Sequence, residues 1–287
     1  MARVLIAGCG YVGAALAREL VAAGDTVFAL SRSGRGAPDG ATVVRADVSQ
    51  PSTLRDLPRG LDLVFYCVSA GASTEPAYRA AYVEGPRALL AALADAGERP
   101  RRVLYTSSSG VYRRGAGEWV DEQTPPESDE PTARALLAGE QVVLAAGVPA
   151  TVVRLAGIYG PGRARTIEAV KSGTMAVTGG APEYTNRIHR DDCAGVLAHL
   201  ARLPAAAPLY LGVDCEPVSR DDVVRFLAGE LGITPVARPA PPGSGPGQGS
   251  NRRYSNRRLL ATGYVFRFPT FREGYRALLA EGAAPGR

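Results

Sequence analysis

The sequence predicts an α/β fold built on a doubly wound parallel sheet. Short β-branched runs alternate with Ala/Leu-rich segments at helical spacing through the first half of the chain. This alternation favours parallel strands joined by right-handed crossovers, with helices on both faces. A glycine-rich turn directly follows the first of these runs. The 287 residues are 46% hydrophobic and 21% charged, so the chain can bury the core that such a fold needs.

The elements follow in alternating order up to about residue 157 and loosen beyond it. The predicted strands are Arg3–Ala7, Thr26–Leu30, Thr42–Ala46, Leu61–Val68, Arg102–Ser107, Ala150–Leu155 and Pro208–Gly212. The predicted helices are Tyr11–Ala23, Ala77–Ala96, Thr132–Ala146 and Asp191–Leu203. A Pro/Gly/Ser-rich stretch, Arg238–Ser250, predicts a loop.

Composition narrows the class of protein. The net charge of +5 comes almost wholly from arginine, and the densest basic stretch, Arg252–Arg258, contains a single tyrosine. This pattern does not favour nucleic-acid binding, which needs a clustered basic face with aromatic platforms. The four cysteines show no C-x-x-C spacing, so we expect reduced thiols and no metal site. With no signal-peptide pattern and no membrane-spanning apolar run, we expect a soluble cytoplasmic protein.

The strongest motif is Gly8-Cys9-Gly10-Tyr11-Val12-Gly13, which matches G-x-G-x-x-G. A strand precedes it and an amphipathic helix follows at once, so the glycines would let the backbone approach a pyrophosphate at the helix N-terminus. The motif therefore predicts a Rossmann-type dinucleotide site. The alternative is a plain tight turn.

The end of the second strand indicates which dinucleotide binds. An NAD site usually carries an Asp or Glu there, whereas this chain has Ser31-Arg32-Ser33. Because a guanidinium can hold a 2′-phosphate that a carboxylate would repel, we expect NADP(H) in preference to NAD(H). Arg32 as a solvated loop residue is the alternative. Asp47 and Val48, after the third strand, are expected at the adenine, although Asp47 also suits an exposed turn.

Several further motifs resemble those of the extended short-chain dehydrogenase/reductases, which include nucleotide-sugar epimerases and dehydratases. They are YTSSSGVY at 105–112, RLAGIYGPGR at 154–163, RIHRDD at 187–192, YLG at 210–212, and the closing Gly263–Gly274 segment. The resemblance covers nearly the whole chain. It implies further cofactor contacts by Val68, Ser69, Leu155, Ala156 and Ile158. It also implies a nucleotide-binding domain over 1–160, completed by about 186–215, and a substrate-binding cap over 161–185 and 216–287.

The chain departs from this family at the proton-transfer pair, a Tyr followed four residues later by a Lys. Aligning Glu140 with the family's glutamate places Leu136 at the Lys position and Thr132 at the Tyr position. The only lysine of the chain is Lys171, in a different segment. The usual mechanism uses the ammonium group to lower the tyrosine pKa. We therefore expect an atypical branch of the family.

Three functions remain open on these grounds. The first is a redox enzyme whose cofactor supplies hydride, with proton transfer by another group or by water. In it, Ser108 matches the family's catalytic serine and Tyr112 is a candidate proton donor; strand-end capping and packing are their alternative roles. Tyr159 is a weaker candidate. The second function is a non-redox lyase, isomerase or cyclase, and the third is a cofactor-sensing regulatory protein.

The sequence says less about substrate and assembly. Arg163 and Arg253 are candidate contacts for an acidic or phosphorylated substrate, unless they are solvated or ion-paired. We interpret His189 as a structural residue and Trp119 as either a lid contact or a packed surface aromatic. Family members commonly dimerise through the helices matching Ala77–Ala96 and Thr132–Ala146, so the resemblance implies a homodimer.

Overall fold

The computed structural model describes residues 1–112, 115–127, 129–239 and 250–283. The chain divides into two compact units, the first of 1–111, 127–155 and 193–210, and the second of 112–126, 156–192 and 211–287. The predicted nucleotide-binding domain and substrate-binding cap stay predictions, because these units are defined by compactness and not by what they bind. Most of the predicted Arg238–Ser250 loop lies outside the described residues. No helix within the described ranges is long and apolar enough to cross a membrane.

The strands and helices are numbered in chain order. The strands are β1 (Arg3–Ala7), β2 (Thr26–Ser31), β3 (Thr42–Arg45), β4 (Leu63–Tyr66), β5 (Arg102–Ser108), β6 (Gly115–Val120), β7 (Ala150–Leu155), β8 (Gly157–Tyr159), β9 (Tyr184–Thr185), β10 (Arg187–His189), β11 (Leu209–Gly212), β12 (Val218–Ser219) and β13 (Ser250–Tyr254). The helices are α1 (Tyr11–Ala22), α2 (Glu75–Arg79), α3 (Gly85–Asp95), α4 (Pro131–Leu144), α5 (Arg165–Lys171), α6 (Arg190–Arg202), α7 (Arg220–Leu231), α8 (Arg257–Leu260) and α9 (Phe271–Ala283).

A seven-stranded parallel sheet organises the first unit, in the order β11-β7-β5-β4-β1-β2-β3. The predicted α/β, doubly wound architecture is thereby confirmed. β1 lies between β2 and β4, with Ala7 opposite both Leu30 and Tyr66. The strand order reverses at this point, and ligands of doubly wound sheets bind at such a reversal.

Apolar side chains of the strands and of the helices pack together and bury this sheet. Leu5, Val64 and Val103 on neighbouring strands are almost fully buried, and they share a core with Leu89 of α3 and Val143 of α4. Continuous apolar runs are typical of strands covered on both faces. The sequence predicted these strands and helices because the residues that they bury are apolar and recur at a regular spacing.

The structure differs from the prediction of one regular helix over Ala77–Ala96. α2 and α3 form one continuous helical path, but Ala80–Glu84 between them is a π-helical turn. Apolar periodicity does not predict a π turn, since a single added residue only shifts the phase of the pattern.

The second unit is built from short elements around a separate core. β8 pairs with β10 and β6 with β13, both in parallel, whereas β9 and β12 are antiparallel. Ser219 caps the N-terminus of helix α7, where its hydroxyl accepts from the Asp222 N–H at 3.1 Å, and Gly232 caps the C-terminus with φ of +66°. Phe271 and Tyr275 of α9 pack with α7 in the core of this unit.

A buried ionic network joins α4 to the sheet in the first unit. Glu140 Oε1 accepts from Ser107 Oγ at 2.6 Å and from Arg154 Nε at 2.9 Å, and its Oε2 accepts from Arg154 Nη2 at 2.7 Å. All three residues are buried. The geometry is bidentate, so two parallel bonds fix the guanidinium to the carboxylate.

Breaking this network from one side should destabilise the fold. Glu140→Leu leaves the Arg154 guanidinium buried without its carboxylate, and we expect a loss of about 3–5 kcal/mol in the free energy of unfolding, measured by urea titration. The double variant Glu140→Leu/Arg154→Met removes both charges and should lose less than the single variant.

Glu168→Gln provides the matched control, because Glu168 pairs with Lys171 at 3.2 Å on the exposed surface of α5. Its loss should not exceed about 1 kcal/mol. A Glu140→Leu loss no larger than that of Glu168→Gln would contradict the expected role of the buried pair.

Candidate cofactor and active site

A cavity of about 620 Å³ opens in the first unit at the carboxyl ends of β1, β2, β3 and β4. The residues predicted to bind cofactor that line it are Gly8, Gly10, Ser31, Arg32, Ser33, Asp47, Val48, Val68 and Ser69. The predicted cofactor residues that do not line it are Tyr11, Val12, Gly13, Leu155, Ala156 and Ile158. The first three open helix α1, and the last three lie at or beyond the end of β7.

The glycine loop is packed so closely that side chains are excluded. Gly8 has φ of +94°, and an added Cβ would lie 2.6 Å from backbone atoms of Cys67 and Val68. A Cβ on Gly13 would lie 2.1 Å from the Gly8 carbonyl oxygen. Gly10 differs, because its Cβ would meet nothing within 4 Å. Glycine at this position therefore keeps open space in front of the loop.

The loop thus fits a dinucleotide pyrophosphate. Helix α1 begins at Tyr11, directly after Gly10, so its first N–H groups and its dipole favour an anion at the loop. The loop is anchored to β2 because Gly8 and Cys9 both donate their N–H groups to the Leu30 carbonyl, at 2.9 and 3.2 Å. A bound phosphate would meet preformed donors.

The segment after β2 forms a compact turn that carries two arginines. The Ser31 hydroxyl donates to the Arg35 carbonyl at 3.1 Å, and the Arg35 N–H donates to Ser33 Oγ at 3.2 Å. Arg32 and Arg35 both line the cavity. Arg35 was missed by the sequence analysis, although its spacing three residues after Arg32 in one short turn could have indicated it.

This arginine turn is fastened to the glycine loop. Cys9 Sγ donates to the Gly36 carbonyl at 3.1 Å, and a Cβ on Gly36 would lie 2.2 Å from the Cys9 carbonyl oxygen. Burial raises the pKa of the Cys9 thiol and raises that of Cys67 to about 12. Both thiols are therefore protonated near neutral pH, and they form part of the cavity wall.

Asp47 lines the cavity after β3 and also stabilises its own turn. Its Oδ1 accepts from the Ser49 N–H at 2.9 Å and from Ser49 Oγ at 2.7 Å. Among the described residues that line the cavity, Asp47 is the one carboxylate. The end of β2, where an NAD site carries its acidic residue, has none.

Ser108 ends β5, and its hydroxyl oxygen accepts from the Gly110 N–H at 3.1 Å. A serine in this arrangement keeps its own O–H for donation to a substrate oxygen.

Tyr112 belongs to the second unit and is buried. Its hydroxyl donates to the Asp121 carbonyl at 3.2 Å, and its ring lies 5.7 Å from that of Tyr254. These contacts fit the packing alternative for Tyr112, and its role as a proton donor stays a prediction.

Thr132 and Leu136, which the sequence alignment predicts at the family's Tyr and Lys positions, both lie on helix α4. Leu136 is buried at 4% exposure in the first unit, one turn before Glu140. Lys171 is paired with Glu168 on α5 of the second unit. Leu136 has no amine and Lys171 lies on α5, so neither residue places an ammonium group on α4.

In the second unit, His189 lies on β10 in aromatic surroundings. Its Nδ1 accepts from the Asp191 N–H at 3.2 Å, and its ring is 4.0 Å from Phe268 and 5.3 Å from Tyr159. Burial lowers the pKa of His189, against the opposing charge of Asp191. The imidazole is therefore neutral near pH 7 and suits the structural interpretation.

Tyr159 lies in the second unit, where polar side chains that include Arg187 and Asp214 are buried. Burial raises its pKa and raises the pKa of Asp214 to about 8, while Arg187 acts in the opposite direction on both. Arg187 donates to Thr185 Oγ1 at 2.7 Å. Gly274 leaves space for the phenol, since its Cβ would lie 1.9 Å from the Tyr159 hydroxyl. The Tyr159 phenol is therefore closely packed inside the second unit.

The two arginines proposed for substrate differ in their surroundings. Arg253 on β13 donates through Nε to the Gly117 carbonyl at 2.7 Å, and its guanidinium lies 5.0 Å from the Trp119 ring and 4.9 Å from the Tyr184 ring. Trp119 remains 57% exposed. Arg163 is exposed in the turn after β8, where its N–H donates to the Gly160 carbonyl at 2.9 Å.

A doubly wound sheet, a glycine loop opening a helix and an anion-attracting cavity together define a dinucleotide-binding α/β protein. Comparisons with known proteins make the class specific. The model of the NAD dependent epimerase/dehydratase family matches residues 4–201, and the chain belongs to this family. The resemblance to extended short-chain dehydrogenase/reductases is thereby confirmed.

Individual relatives agree with this assignment. The chain is 30% identical over 251 residues to dTDP-4-dehydrorhamnose reductase of Mycolicibacterium smegmatis, covering 81% of this chain and 70% of the relative. It is 29% identical over 254 residues to 2-alkyl-3-oxoalkanoate reductase of Stenotrophomonas maltophilia, covering 80% and 75%. A Methylobacillus flagellatus structure described as an NAD-dependent epimerase/dehydratase is 37% identical, with a TM-score of 0.82 over 98% of both chains. The protein is an enzyme of oxidoreductase type with a nicotinamide-dinucleotide site.

Proposed function

We propose that the protein is an NADP(H)-dependent oxidoreductase that reduces a small carbonyl compound, or oxidises the corresponding alcohol, without a Tyr/Lys proton-transfer pair. The observation that carries the cofactor preference is the arginine turn after β2. Arg32 and Arg35 line the cavity there, and the acidic residue typical of NAD sites is absent from the described residues of that turn. Two guanidinium groups suit the dianionic 2′-phosphate that distinguishes NADP(H).

The chemistry follows from the cofactor and from few protein groups. The dihydronicotinamide supplies hydride when bound. Ser108 donates a hydrogen bond to the substrate carbonyl oxygen, which favours the negative charge that develops there. With Leu136 and Thr132 at the family's paired positions, the proton comes from water rather than from a phenol beside an ammonium group.

The substrate class is a carbonyl compound with an acidic group. One relative is named for a 3-oxoalkanoate, which combines a ketone with a carboxylate. Arg253, whose guanidinium is held in place by two aromatic rings, and the exposed Arg163 are the residues proposed to bind the acidic group.

The cofactor preference is tested by Arg32→Ala and Arg35→Ala. Each substitution removes charge-assisted hydrogen bonds to the 2′-phosphate, and we expect the Kd for NADPH to rise about ten- to hundredfold. The Kd for NADH should change less than about twofold, because NADH lacks the phosphate. Titration of cofactor fluorescence measures both constants.

Arg99→Ala is the control for loss of positive charge, since Arg99 is exposed and does not line the cavity. It should leave both constants unchanged. Equal affinity of the unmodified protein for NADPH and NADH would refute the preference.

The role of Ser108 is tested by Ser108→Ala beside Tyr112→Phe. With 3-oxo acids as substrates and NADPH consumption as the readout, Ser108→Ala should lower kcat by about a hundredfold, as expected for loss of a donor to the developing oxyanion. Its NADPH affinity should stay the same. Tyr112→Phe should lower kcat less than about threefold, because the Tyr112 hydroxyl is bonded to Asp121. A larger effect of Tyr112→Phe than of Ser108→Ala would reverse the two assignments.

We also propose a homodimer formed through α3 and α4. These helices pack against each other in the first unit, and α4 leaves Leu144 38% exposed near its end. Bundles of antiparallel helices commonly form two-fold interfaces. Light scattering at micromolar concentration should give twice the mass of the chain, and Leu144→Glu should shift the protein towards the monomer. A monomeric mass for the unmodified protein would exclude this assembly.

A further inference from the structure

The π turn between α2 and α3 breaks the regular hydrogen bonding of the helix. The Gly85 N–H donates to the Ala80 carbonyl, five residues back instead of four. Such a turn adds one residue to the helix, leaves neighbouring carbonyls short of their usual partners, and often lies at a functional site. Such carbonyls need hydrogen-bond donors from elsewhere in the fold.

Two buried tyrosines of the sheet supply the missing hydrogen bonds. The Tyr66 hydroxyl donates to the Ala81 carbonyl at 2.5 Å, and the Tyr105 hydroxyl donates to the Tyr82 carbonyl at 3.0 Å. Tyr66 and Tyr105 face each other on the adjacent strands β4 and β5, and their rings stack with centroids 5.5 Å apart. Each phenol thus serves one carbonyl of the turn.

Glycines on two helices make room for these hydroxyls. A Cβ on Gly85 would lie 2.2 Å from the Tyr66 hydroxyl oxygen. A Cβ on Gly139 of α4 would lie 1.9 Å from the Tyr82 carbonyl oxygen and 2.4 Å from the Tyr105 hydroxyl oxygen. A side chain at either glycine would displace the phenol or the turn, so four positions together determine this arrangement.

The π turn also forms part of the cofactor cavity. Ala80 and Ala81 of the turn line it together with Ala77 of α2, and Ser69 and Gly71 also belong to its lining. One residue corresponds to a rotation of about 100° around an α-helix. Loss of the π turn would therefore turn these alanines relative to the rest of the helix and bring other side chains to the cavity wall.

We infer that Tyr66 and Tyr105 are positioning residues that hold the π turn and thereby the alanine wall of the cofactor cavity. Both hydroxyls act as donors, and burial raises the pKa of each phenol above its ordinary value. Both phenols therefore keep their protons near neutral pH and can donate these hydrogen bonds. The inference rests on the cofactor site of the proposed function, whichever nicotinamide dinucleotide binds there.

The test compares Tyr66→Phe and Tyr105→Phe with Tyr210→Phe. Tyr210 is a buried tyrosine of the same unit whose hydroxyl accepts from the Ala207 N–H at 3.0 Å, and it does not line the cavity. All three variants lose one buried hydroxyl and one hydrogen bond. Cofactor Kd, the thermal midpoint and hydrogen exchange of residues 80–85 are measured for each.

We expect Tyr66→Phe and Tyr105→Phe to raise the cofactor Kd about fivefold, the effect of one hydrogen bond, and to speed exchange in the π turn. Tyr210→Phe should lower the thermal midpoint by a similar amount and leave the Kd and the exchange of the turn unchanged. Unchanged Kd and exchange in both tyrosine variants, or an equal rise of Kd in Tyr210→Phe, would overturn the inference.

The outcome is separable from that of the cofactor proposal. Kd is measured with both NADPH and NADH, so tighter binding of NADH would refute the preference while the effect of the tyrosines is still determined with NADH. Binding of neither dinucleotide by the unmodified protein would overturn both.

Discussion

The close approach of the glycine loop to its neighbours is the constraint on which the cofactor site depends. At Gly8 the backbone touches Cys67 and Val68, just after β4, and at Gly13 the first turn of α1 touches the carbonyl of Gly8. Neither contact leaves space for a Cβ. The strand order reverses at this same place, so the loop that joins β1 to α1 lies where the sheet leaves a crevice. Close packing and an anion-binding helix terminus are thus two results of one local geometry.

Arginine serves opposite purposes in different parts of the molecule. Arg154 is buried and held by both oxygens of Glu140, so its charge contributes to internal order. Arg32 and Arg35 lie at an open cavity, and a compact turn determines their position. A guanidinium that is already neutralised has little capacity for a ligand, whereas one that faces an open cavity keeps it. The environment of each arginine, rather than the overall charge of +5, distinguishes these roles.

The sequence predicted most of the first unit because its strands and helices have strong periodicity. Arg3–Ala7 and Ala150–Leu155 were predicted with their observed bounds, and α4 differs by at most two residues at either end. The π turn at Ala80–Glu84 could not be predicted, since its carbonyls are satisfied by tyrosines distant in sequence. For the site, the motif led to Gly8 and Gly10. Arg35 was missed although its spacing after Arg32 could have indicated it, and the alanine wall is evident only from the cavity. The short elements of the second unit, such as β9, are too brief to show any period.

The scarcity of lysine has a practical consequence for handling this enzyme. Lys171 carries the one side-chain amine of the sequence, and it is about half exposed at the end of α5. An amine-reactive dye or surface would therefore couple at this side chain and at the chain's amino terminus. Lys171 does not line the dinucleotide cavity, and its partner Glu168 belongs to the same helix. The molecule thus comes with a nearly unique attachment point for fluorescence or immobilisation, and no engineered cysteine is required.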